Sequence, residues 1–397
     1  MAVASATAEP VKTDSFVSNA KLNMKSLILE KPFSFQFAEH ELNDDLKPNE
    51  ALIKIRKIGI CGTDYHAFRG KQPFFSYPRI LGHELGAEVA KLGSNTKGVS
   101  DAKFKVSDFN VNTSEIWNVK SEIKIGDKVS LEPYLNCGTC QPCQNGKSNC
   151  CENLQVMGVH VDGGMTEYLK VPIRKLHRSK KLNFEQLALV ETLSIGSHAV
   201  QRANVSAKDL VLVIGAGPIG LSVIQFAKLA GATIVVLDTN TQRLDFAKKI
   251  FQTDFSIELK DDFSPEILRA IEIPTKSGLR GVLNGNLPTI VFDATGNPDS
   301  MHNAFNYIAF GGKLVFVGLF IGDVTFHDPL FHRKEITLLA SRNSLPMDFK
   351  NIIKYMESGK IDTSAWLTHR ADFDALPSVF NQWLDPASGV IKAMVSM

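Results

Sequence analysis

A glycine-rich turn between an apolar strand and a helical segment constrains the fold of this chain more than any other feature. The turn has the sequence GAGPIG, from Gly215 to Gly220, and follows the apolar run Leu210–Ile214. A second apolar run, Thr233–Leu237, ends next to Asp238. A strand, a turn, a helix and a second strand in this order predict a βαβ unit. The fold class is therefore α/β, with a doubly wound parallel sheet.

Each glycine of this turn has a physical role if a dinucleotide binds there. Gly215 permits the tight turn, Gly217 lets the backbone approach a pyrophosphate, and Gly220 allows the helix to pack closely on the strand. The helix that begins with Pro218 and Ile219 directs the amide groups of its N-terminus at the anion. The alternative is a glycine turn that binds no ligand, and the complete βαβ context argues against it.

Asp238 indicates which dinucleotide binds. A carboxylate at the end of the second strand accepts hydrogen bonds from the ribose hydroxyls of the adenosine, and it would repel a 2′-phosphate. NAD is therefore favoured over NADP as the cofactor. The cation of Arg243, five residues further on, keeps NADP as the less favoured alternative.

Five of the six cysteines crowd into a short segment, which indicates metal binding rather than disulfides. Four of them, Cys137, Cys140, Cys143 and Cys151, have spacings of three, three and eight residues. Four thiolates suit a closed tetrahedral zinc site that braces the structure and has no open position for chemistry. On spacing alone Cys150 could replace Cys151, and disulfides or inert thiols remain the alternative.

A second group of potential metal ligands is dispersed along the chain. It includes the run CGTDYH, from Cys61 to His66, and the pair His83-Glu84. Position 87 is Ala87 rather than histidine, so the HExxH motif of metalloproteases is absent. Taken singly, Cys61 would more often be a small buried hydrophobic residue, and His83 a core histidine with satisfied hydrogen bonds.

Charge and hydropathy exclude several classes of function. The 397 residues include 44 lysines and arginines against 42 acidic residues, without a long basic run, so nucleic acid is not expected as a partner. The longest apolar runs are far shorter than the roughly 20 residues of a membrane span, so no membrane partner is expected. Residues 1–23 have no secretory or transit pattern and are predicted to form a disordered leader, which makes the cytoplasm the default location.

The pattern of the chain predicts two folded domains. Residues 24–200 show short strand-like runs and form a β-rich domain that residues 336–397 complete, whereas residues 201–335 form the doubly wound domain. Polar or glycine-rich insertions are expected at 95–122 and 277–286. The predicted strands are Ala51–Ile58, Ile80–Gly86, Lys128–Leu131, Met165–Val171, Leu210–Ile214, Thr233–Leu237, Thr289–Phe292, Lys313–Val317 and Ile336–Ala340, with helices at Ile219–Ala230 and Asp348–Ser358.

Taken together, these motifs resemble the zinc-dependent medium-chain alcohol/polyol dehydrogenase family from about Met24 onwards. The resemblance rests on the CGTDYH run, the Gly-His-Glu run, the four-cysteine segment and the glycine turn, and on two further segments in family order, Asp293–Gly296 and Gly311–Lys313. It implies a GroES-like β-rich catalytic domain plus a Rossmann domain that binds NAD(P). It also implies two zinc ions per subunit, one catalytic and one structural, and selects Cys151 over Cys150.

The resemblance also assigns roles around the catalytic zinc. Cys61 and His83 are implied as ligands, and the remaining protein ligand is an acid. Glu84 coordinates directly in some polyol-type relatives, whereas Glu191 stands where alcohol dehydrogenases place a cysteine, so both remain candidates. The family also forms homo-oligomers, dimers or tetramers, and strand pairing between subunits is expected near Ile321–Thr325.

Three residues of the CGTDYH run are predicted to support the chemistry. A zinc with an open position lowers the pKa of a bound alcohol, so that hydride can pass to the nicotinamide. Thr63 can accept the proton, and His66 can relay it to solvent. Asp64 is predicted to orient His83, and a simple turn role for Asp64 is the alternative.

Within the family, the chain is similar to the branch that contains L-gulonate and L-galactonate 5-dehydrogenases. The similarity lies in three segments: Tyr65–Phe74, Gly158–Met165 and Ala340–Asn343. An aldonate substrate carries a carboxylate, which the cations Arg342, Arg69 and Lys71 could hold. An L-threonine dehydrogenase, a sorbitol-type dehydrogenase and a non-catalytic relative remain alternatives.

Overall fold

The computed structural model describes residues 22–42, 44–94, 123–260, 263–270 and 286–397. The expected insertion at 95–122 and nearly all of the one at 277–286 lie outside these ranges, as do residues 1–21 of the expected leader. Its last two residues belong to the first strand, which begins at Leu22 rather than at Met24. In the described part of the chain, no helix is both long enough and apolar enough to cross a membrane.

The N-terminal half is rich in short strands, as predicted. Its helices are α1 Gly62–Phe68, α2 Gln141–Gln144 and α3 Phe184–Ala203. Its strands are β1 Leu22–Lys31, β2 Ser34–Leu42, β3 Glu50–Ile60, β4 Arg79–Ile80, β5 Glu84–Leu92, β6 Lys128–Leu131, β7 Tyr134–Leu135, β8 Gln155–Val156, β9 Tyr168–Pro172 and β10 Leu176–Arg178. The expected strand at 80–86 is therefore two strands, because Gly82 turns the chain with a φ of +95° just before His83.

The middle of the chain forms the doubly wound sheet. Its six strands pair in parallel in the order β13-β12-β11-β14-β15-β16, which is the Rossmann order. Their bounds are β11 Leu210–Ile214, β12 Thr233–Asp238, β13 Phe255–Glu258, β14 Ile290–Asp293, β15 Lys313–Phe316 and β16 Thr337–Ala340. The helices between them are α4 Pro218–Leu229, α5 Thr241–Phe251, α6 Pro265–Ala270, α7 Pro298–Asn303 and α8 Asp328–Arg333.

The C-terminal segment is divided between the two domains. Its elements are α9 Pro346–Glu357, β17 Leu367–Asp372, α10 Leu376–Trp383 and β18 Lys392–Ser396. β18 pairs antiparallel with β3, and β17 pairs with β18, so these strands complete the β-rich sheet. β16 instead pairs with β15. The expected boundary at 336 is therefore wrong for β16, which belongs to the Rossmann sheet. Its short apolar sequence does not reveal that it is an edge strand of that sheet.

Helix α3 connects the two cores and carries Glu191. It begins at an N-cap, Asn183, whose side chain accepts a hydrogen bond from the amide of Gln186. One side of α3 packs on β3, β5 and β6, and another packs on α4 and α9. Residues on α3 are therefore held by both domains at once.

Candidate active site

Cys61 lies at the junction of β3 and α1, where the chain leaves the β-rich sheet. It is the N-cap residue of α1, and its backbone N–H donates to Oδ2 of Asp64 at 2.9 Å. This contact fixes the first turn of the helix, which also carries Thr63 and, one turn later, the exposed His66. The CGTDYH run therefore begins where β3 ends and continues as helix α1. The hydrogen bond at the start of the helix holds its side chains in a fixed position.

His83 and Glu84 reach the same point from the neighbouring strand. Glu84 begins β5 and stands opposite Gly59 on β3, two residues before Cys61. The ligand atoms of Cys61, His83 and Glu84 all lie within 4.8 Å of one another. A Cβ on Gly59 would lie 2.1 Å from Oε2 of Glu84, so the glycine provides the space for this carboxylate.

Buried negative charge dominates the electrostatics of this group. Burial raises the pKa of the Asp64 carboxyl above its usual value. Burial alone would lower the pKa of His83, but the carboxylate of Asp64, 3.7 Å from Nδ1, and the sulfur of Cys61 hold that pKa well above the usual range. The negative charges of Asp64 and Cys61 beside His83 therefore favour a cation at this position, and Zn²⁺ can take the place of a proton there.

The two glutamates have different partners. Oε1 of Glu84 accepts a hydrogen bond from the buried Lys392, whereas Glu191 accepts one from the hydroxyl of Tyr134. Within the described residues, Oε2 of Glu84 is buried without a hydrogen-bond partner, as a metal-ligand atom would be. In the same part of the chain, Glu191 lies outside the group of mutually close ligand atoms. The donor set of sulfur, nitrogen and carboxylate fits zinc.

The four-cysteine segment has the geometry of a closed zinc site. The sulfurs of Cys137 and Cys151 are 3.5 Å apart, and those of Cys140 and Cys151 are 3.8 Å apart. Zinc bound tetrahedrally to thiolates at about 2.3 Å requires sulfur–sulfur distances of about 3.8 Å. Cys143 completes the group, whereas Cys150 is exposed and is not one of its members.

Local hydrogen bonds prepare Cys137 of this segment for a metal. The hydroxyl and backbone N–H of Thr139 donate to Sγ of Cys137 and lower the pKa of this thiol to about 5. The backbone N–H of Cys140 donates to the same sulfur at 3.4 Å. The thiolate, which is the form that binds zinc, is therefore favoured.

The glycine turn has the shape that a pyrophosphate needs. A Cβ on Gly220 would lie 1.7 Å from the carbonyl oxygen of Gly215, so only glycine permits this approach of α4 to β11. Gly217 is the N-cap residue of α4, which begins with Pro218 and Ile219. The carboxylate of Asp238 accepts hydrogen bonds from the backbone N–H groups of Ala216, at 2.6 Å, and Asn240, at 2.8 Å. The Asp238 carboxylate therefore lies against the turn.

Arg243 also lies beside this turn. Its Nη1 is 3.8 Å from the position that a Cβ on Gly217 would occupy. The structure thus brings together every residue that the sequence assigned to the dinucleotide site.

The three cations proposed for the substrate have different surroundings. Arg342 is exposed and lies close enough to His160 for its charge, after burial, to lower the pKa of that imidazole. The guanidinium of Arg69 donates to the carbonyl oxygen of Leu384 at 3.1 Å, and its substrate contact stays a prediction. Partial burial, and then the charges of Arg69 and Lys71, lower the pKa of His66.

Comparison with known proteins agrees with this geometry. Residues 47–181 match the model of the alcohol dehydrogenase GroES-like domain, and residues 218–358 match that of the zinc-binding dehydrogenases. The chain belongs to the zinc-containing medium-chain alcohol dehydrogenase family. It is a zinc-dependent NAD(P) dehydrogenase of the polyol/sugar-acid type that acts on a CH–OH group, with a structural four-cysteine zinc site and a Cys/His/Glu site.

Individual members of this family are similar over nearly the whole chain. L-galactonate-5-dehydrogenase of Escherichia coli K12 is 38% identical over 94% of this chain and 99% of its own length. L-arabinitol 4-dehydrogenase of Hypocrea jecorina is 31% identical over 88% of this chain and 86% of its own length. The solved structure of a short chain alcohol dehydrogenase (rspB) from E. coli CFT073, complexed with cofactor NADH, has a TM-score of 0.80 at 25% identity and covers 94% of this chain and 99% of its own.

Two residues of this medium-chain dehydrogenase site do not follow from the sequence motifs. Lys392 and Tyr134 each hold one of the two glutamates, and neither is part of a motif. A signal for Lys392 does exist, because a lysine stands beside the otherwise apolar run Ala393–Val395 at the end of the chain. No comparable signal marks Tyr134.

Proposed function

We propose that this dehydrogenase oxidises the secondary hydroxyl of a sugar acid of the L-gulonate or L-galactonate type to the keto acid, with NAD as acceptor. The observation that carries the proposal is the exposed Arg342 beside His160. The loop that holds His160 packs on Gly82, the residue before His83, since a Cβ on Gly158 would lie 2.9 Å from the amide nitrogen of Gly82. Similarity to L-galactonate-5-dehydrogenase supports the same substrate class.

The catalytic zinc would be held by Cys61, His83 and Glu84. A zinc ion with one open coordination position supplies Lewis acidity that lowers the pKa of an alcohol. Asp64 would orient His83, to which it is close, and Cys61, to which it is hydrogen-bonded. Glu191 would act from outside the ligand set, with its carboxylate held by Tyr134.

Proton transfer would proceed along α1. The hydroxyl of Thr63 would accept the proton of the substrate and pass it towards His66, which is exposed to water. The lowered pKa of His66 keeps its imidazole neutral, and therefore able to accept a proton, at pH values near neutrality. The charge of Lys71 contributes to the lowered pKa of His66. In this proposal, that is the role of Lys71, rather than a contact with the substrate.

Asp238 supports NAD as the preferred cofactor. Its carboxylate lies against the glycine turn, where a 2′-phosphate would meet a like charge. Arg243 is the residue near the turn whose charge would favour NADP.

We also propose a cytoplasmic location, because all six cysteines are free of disulfides. Recovery of the protein from an exported fraction would contradict this.

The substrate assignment is tested by initial rates with a panel of substrates. We expect NADH formation with L-gulonate or L-galactonate at a higher kcat/KM than with sorbitol, xylitol or L-threonine, and slower rates with NADP. Arg342→Ala should raise KM for the aldonate about 30-fold, because a charged hydrogen bond is lost. Arg333→Ala, an exposed arginine on α8, is the control. Faster turnover of a neutral polyol or of threonine would overturn the proposal.

We further propose that the chain forms a homo-oligomer through the β16 edge of the Rossmann sheet. Four exposed apolar side chains lie on β16 or in the segment before it: Leu319, Ile321, Phe326 and Leu338. Such a concentration is typical of a protein interface. Residues 321–325, where strand pairing was expected, are not a strand; of the two edge strands, β13 and β16, the exposed apolar side chains favour β16.

Ile321→Asp should convert this oligomer to monomers in light scattering, because a charge would be buried in the interface. Leu229→Asp, at the exposed end of α4, should leave the mass unchanged. A monomeric native protein would contradict the proposal.

A further inference from the structure

A chain of polar contacts joins the four-cysteine segment to the segment that carries Arg342. Asn149 lies in a short 3-10 turn between the metal-site residues Cys143 and Cys151, and it is only 4% exposed. Its Nδ2 donates at 2.8 Å to the backbone carbonyl oxygen of Arg342. The same nitrogen lies 3.2 Å from Nε2 of His198 on α3. Both hydrogens of the amide are therefore used.

The carbonyl of Arg342 can only accept, so it fixes the orientation of the Asn149 amide, and that orientation decides the tautomer of His198. Because Nε2 of His198 accepts from Asn149, the proton of the neutral imidazole is on Nδ1, which lies 3.3 Å from Oδ2 of Asp348. Asp348 is itself held, since Oδ1 accepts hydrogen bonds from Ser197 at 2.9 Å and from Gln201 at 2.7 Å. The side chains of Asn149, His198 and Asp348 therefore each have one orientation in which all their hydrogen bonds can form.

The segment from 341 to 345 is fixed on both sides of Arg342. The N–H of Ser341 donates to the carbonyl of Phe316 at 2.9 Å, and the hydroxyl of Ser344 lies 2.7 Å from that of Ser194 on α3. Asn343 has a φ of +48°, a left-handed conformation that asparagine tolerates better than most residues. The backbone around Arg342 is thus held rigidly, although its side chain is exposed.

We propose that Asn149 is a positioning residue that holds the Arg342 peptide and thereby aims the guanidinium at the substrate carboxylate. The inference rests on the proposed function, because it concerns recognition of the carboxylate. It gives the four-cysteine segment a part in substrate recognition: Cys143 and Cys151 would hold the zinc on either side of the turn, the turn positions Asn149, and Asn149 positions the Arg342 peptide. Preorganisation of this kind strengthens binding without a further contact to the substrate.

The test compares a charged with a neutral substrate. In Asn149→Ala and Asn149→Asp, KM for the aldonate should rise about tenfold with little change in kcat, because the hydrogen bond that holds the Arg342 carbonyl is lost. KM for a slow neutral polyol should stay the same, and metal analysis should still find two zinc ions per chain. In an Arg342→Ala background, Asn149→Ala should add nothing, since the two residues act on the same contact.

His198 offers a second, independent pair of variants. Glutamine can both accept from Asn149 and donate to Asp348, so His198→Gln should keep the native KM for the aldonate. His198→Ala should reproduce the effect of Asn149→Ala.

Three results would overturn the inference: equal rises of KM for aldonate and polyol, loss of zinc, or an additive effect in the Arg342→Ala background. The two proposals fail in distinguishable ways. If Arg342→Ala raises KM for the aldonate but Asn149→Ala does not, only the positioning role fails. If Arg342→Ala changes nothing, the proposed substrate class fails and the positioning role fails with it.

Discussion

His83→Ala should lower kcat/KM about a thousandfold or more and leave one zinc ion per chain instead of two. The zinc site supplies several kcal/mol of stabilisation to the developing negative charge, and a missing ligand removes the metal. Steady-state rates and metal analysis measure the two effects separately. His332→Ala, an exposed histidine on α8, should leave both values unchanged. An unaltered zinc content with full activity would exclude His83 as a ligand.

Amide variants of the two glutamates should identify the acidic ligand. Glu84→Gln should lose the second zinc, because its carboxylate is among the mutually close ligand atoms, and Glu191→Gln should retain it. Glu84→Gln also leaves the buried Lys392 without its counterion, so circular dichroism must first establish that the variant is folded. Loss of zinc from Glu191→Gln alone would reverse the assignment.

Cys143→Ser should abolish the other zinc site and lower the unfolding temperature by about 10 °C or more, because metal binding contributes directly to folding. Cys143 is nearly fully buried, so the metal-free segment also loses part of its packing. Scanning calorimetry and metal analysis provide the measurement.

Cys150→Ser is the matched control for this prediction, because its exposed sulfur stands outside the metal group. It should leave the unfolding temperature and two zinc ions per chain unchanged. A stable Cys143→Ser protein with two zinc ions would show that the four-cysteine segment does not bind metal.

Features of the site that depend on local sequence were predictable. The binding groups of the glycine turn, and those of the cysteine segment, lie close together in the sequence. The spacing of these residues therefore indicates what each segment can bind. The choice between Glu84 and Glu191 was not predictable, because it depends on how β3, β5 and α3 meet. Spacing alone also left Cys150 and Cys151 open; the family resemblance selected Cys151, and the structure places its sulfur with the other three.

Features that depend on distant pairing were missed for a physical reason. β16 has the same apolar character as a strand of either sheet, and its hydrogen-bond partner β15 decides where it belongs. Asn149 is an ordinary polar residue in a turn, and its contact with Arg342 joins segments that no periodicity connects. Sequence patterns report which face of an element is buried, but they do not report what covers that face.

The pairing of β18 with β3 also affects the order in which the two sheets can form during synthesis. Lys392, the counterion of Glu84, lies on β18, and Ala393 of the same strand stands opposite Ile60, next to Cys61. The ribosome releases the Rossmann strands β11–β16 before β18, and domains generally fold as units during synthesis. The part of β3 next to Cys61, from Lys57 to Ile60, therefore lacks its β18 partner while the Rossmann sheet assembles, whereas Glu50–Lys54 can already pair with β9. Glu84 gains its counterion Lys392 only when the chain has been translated through β18.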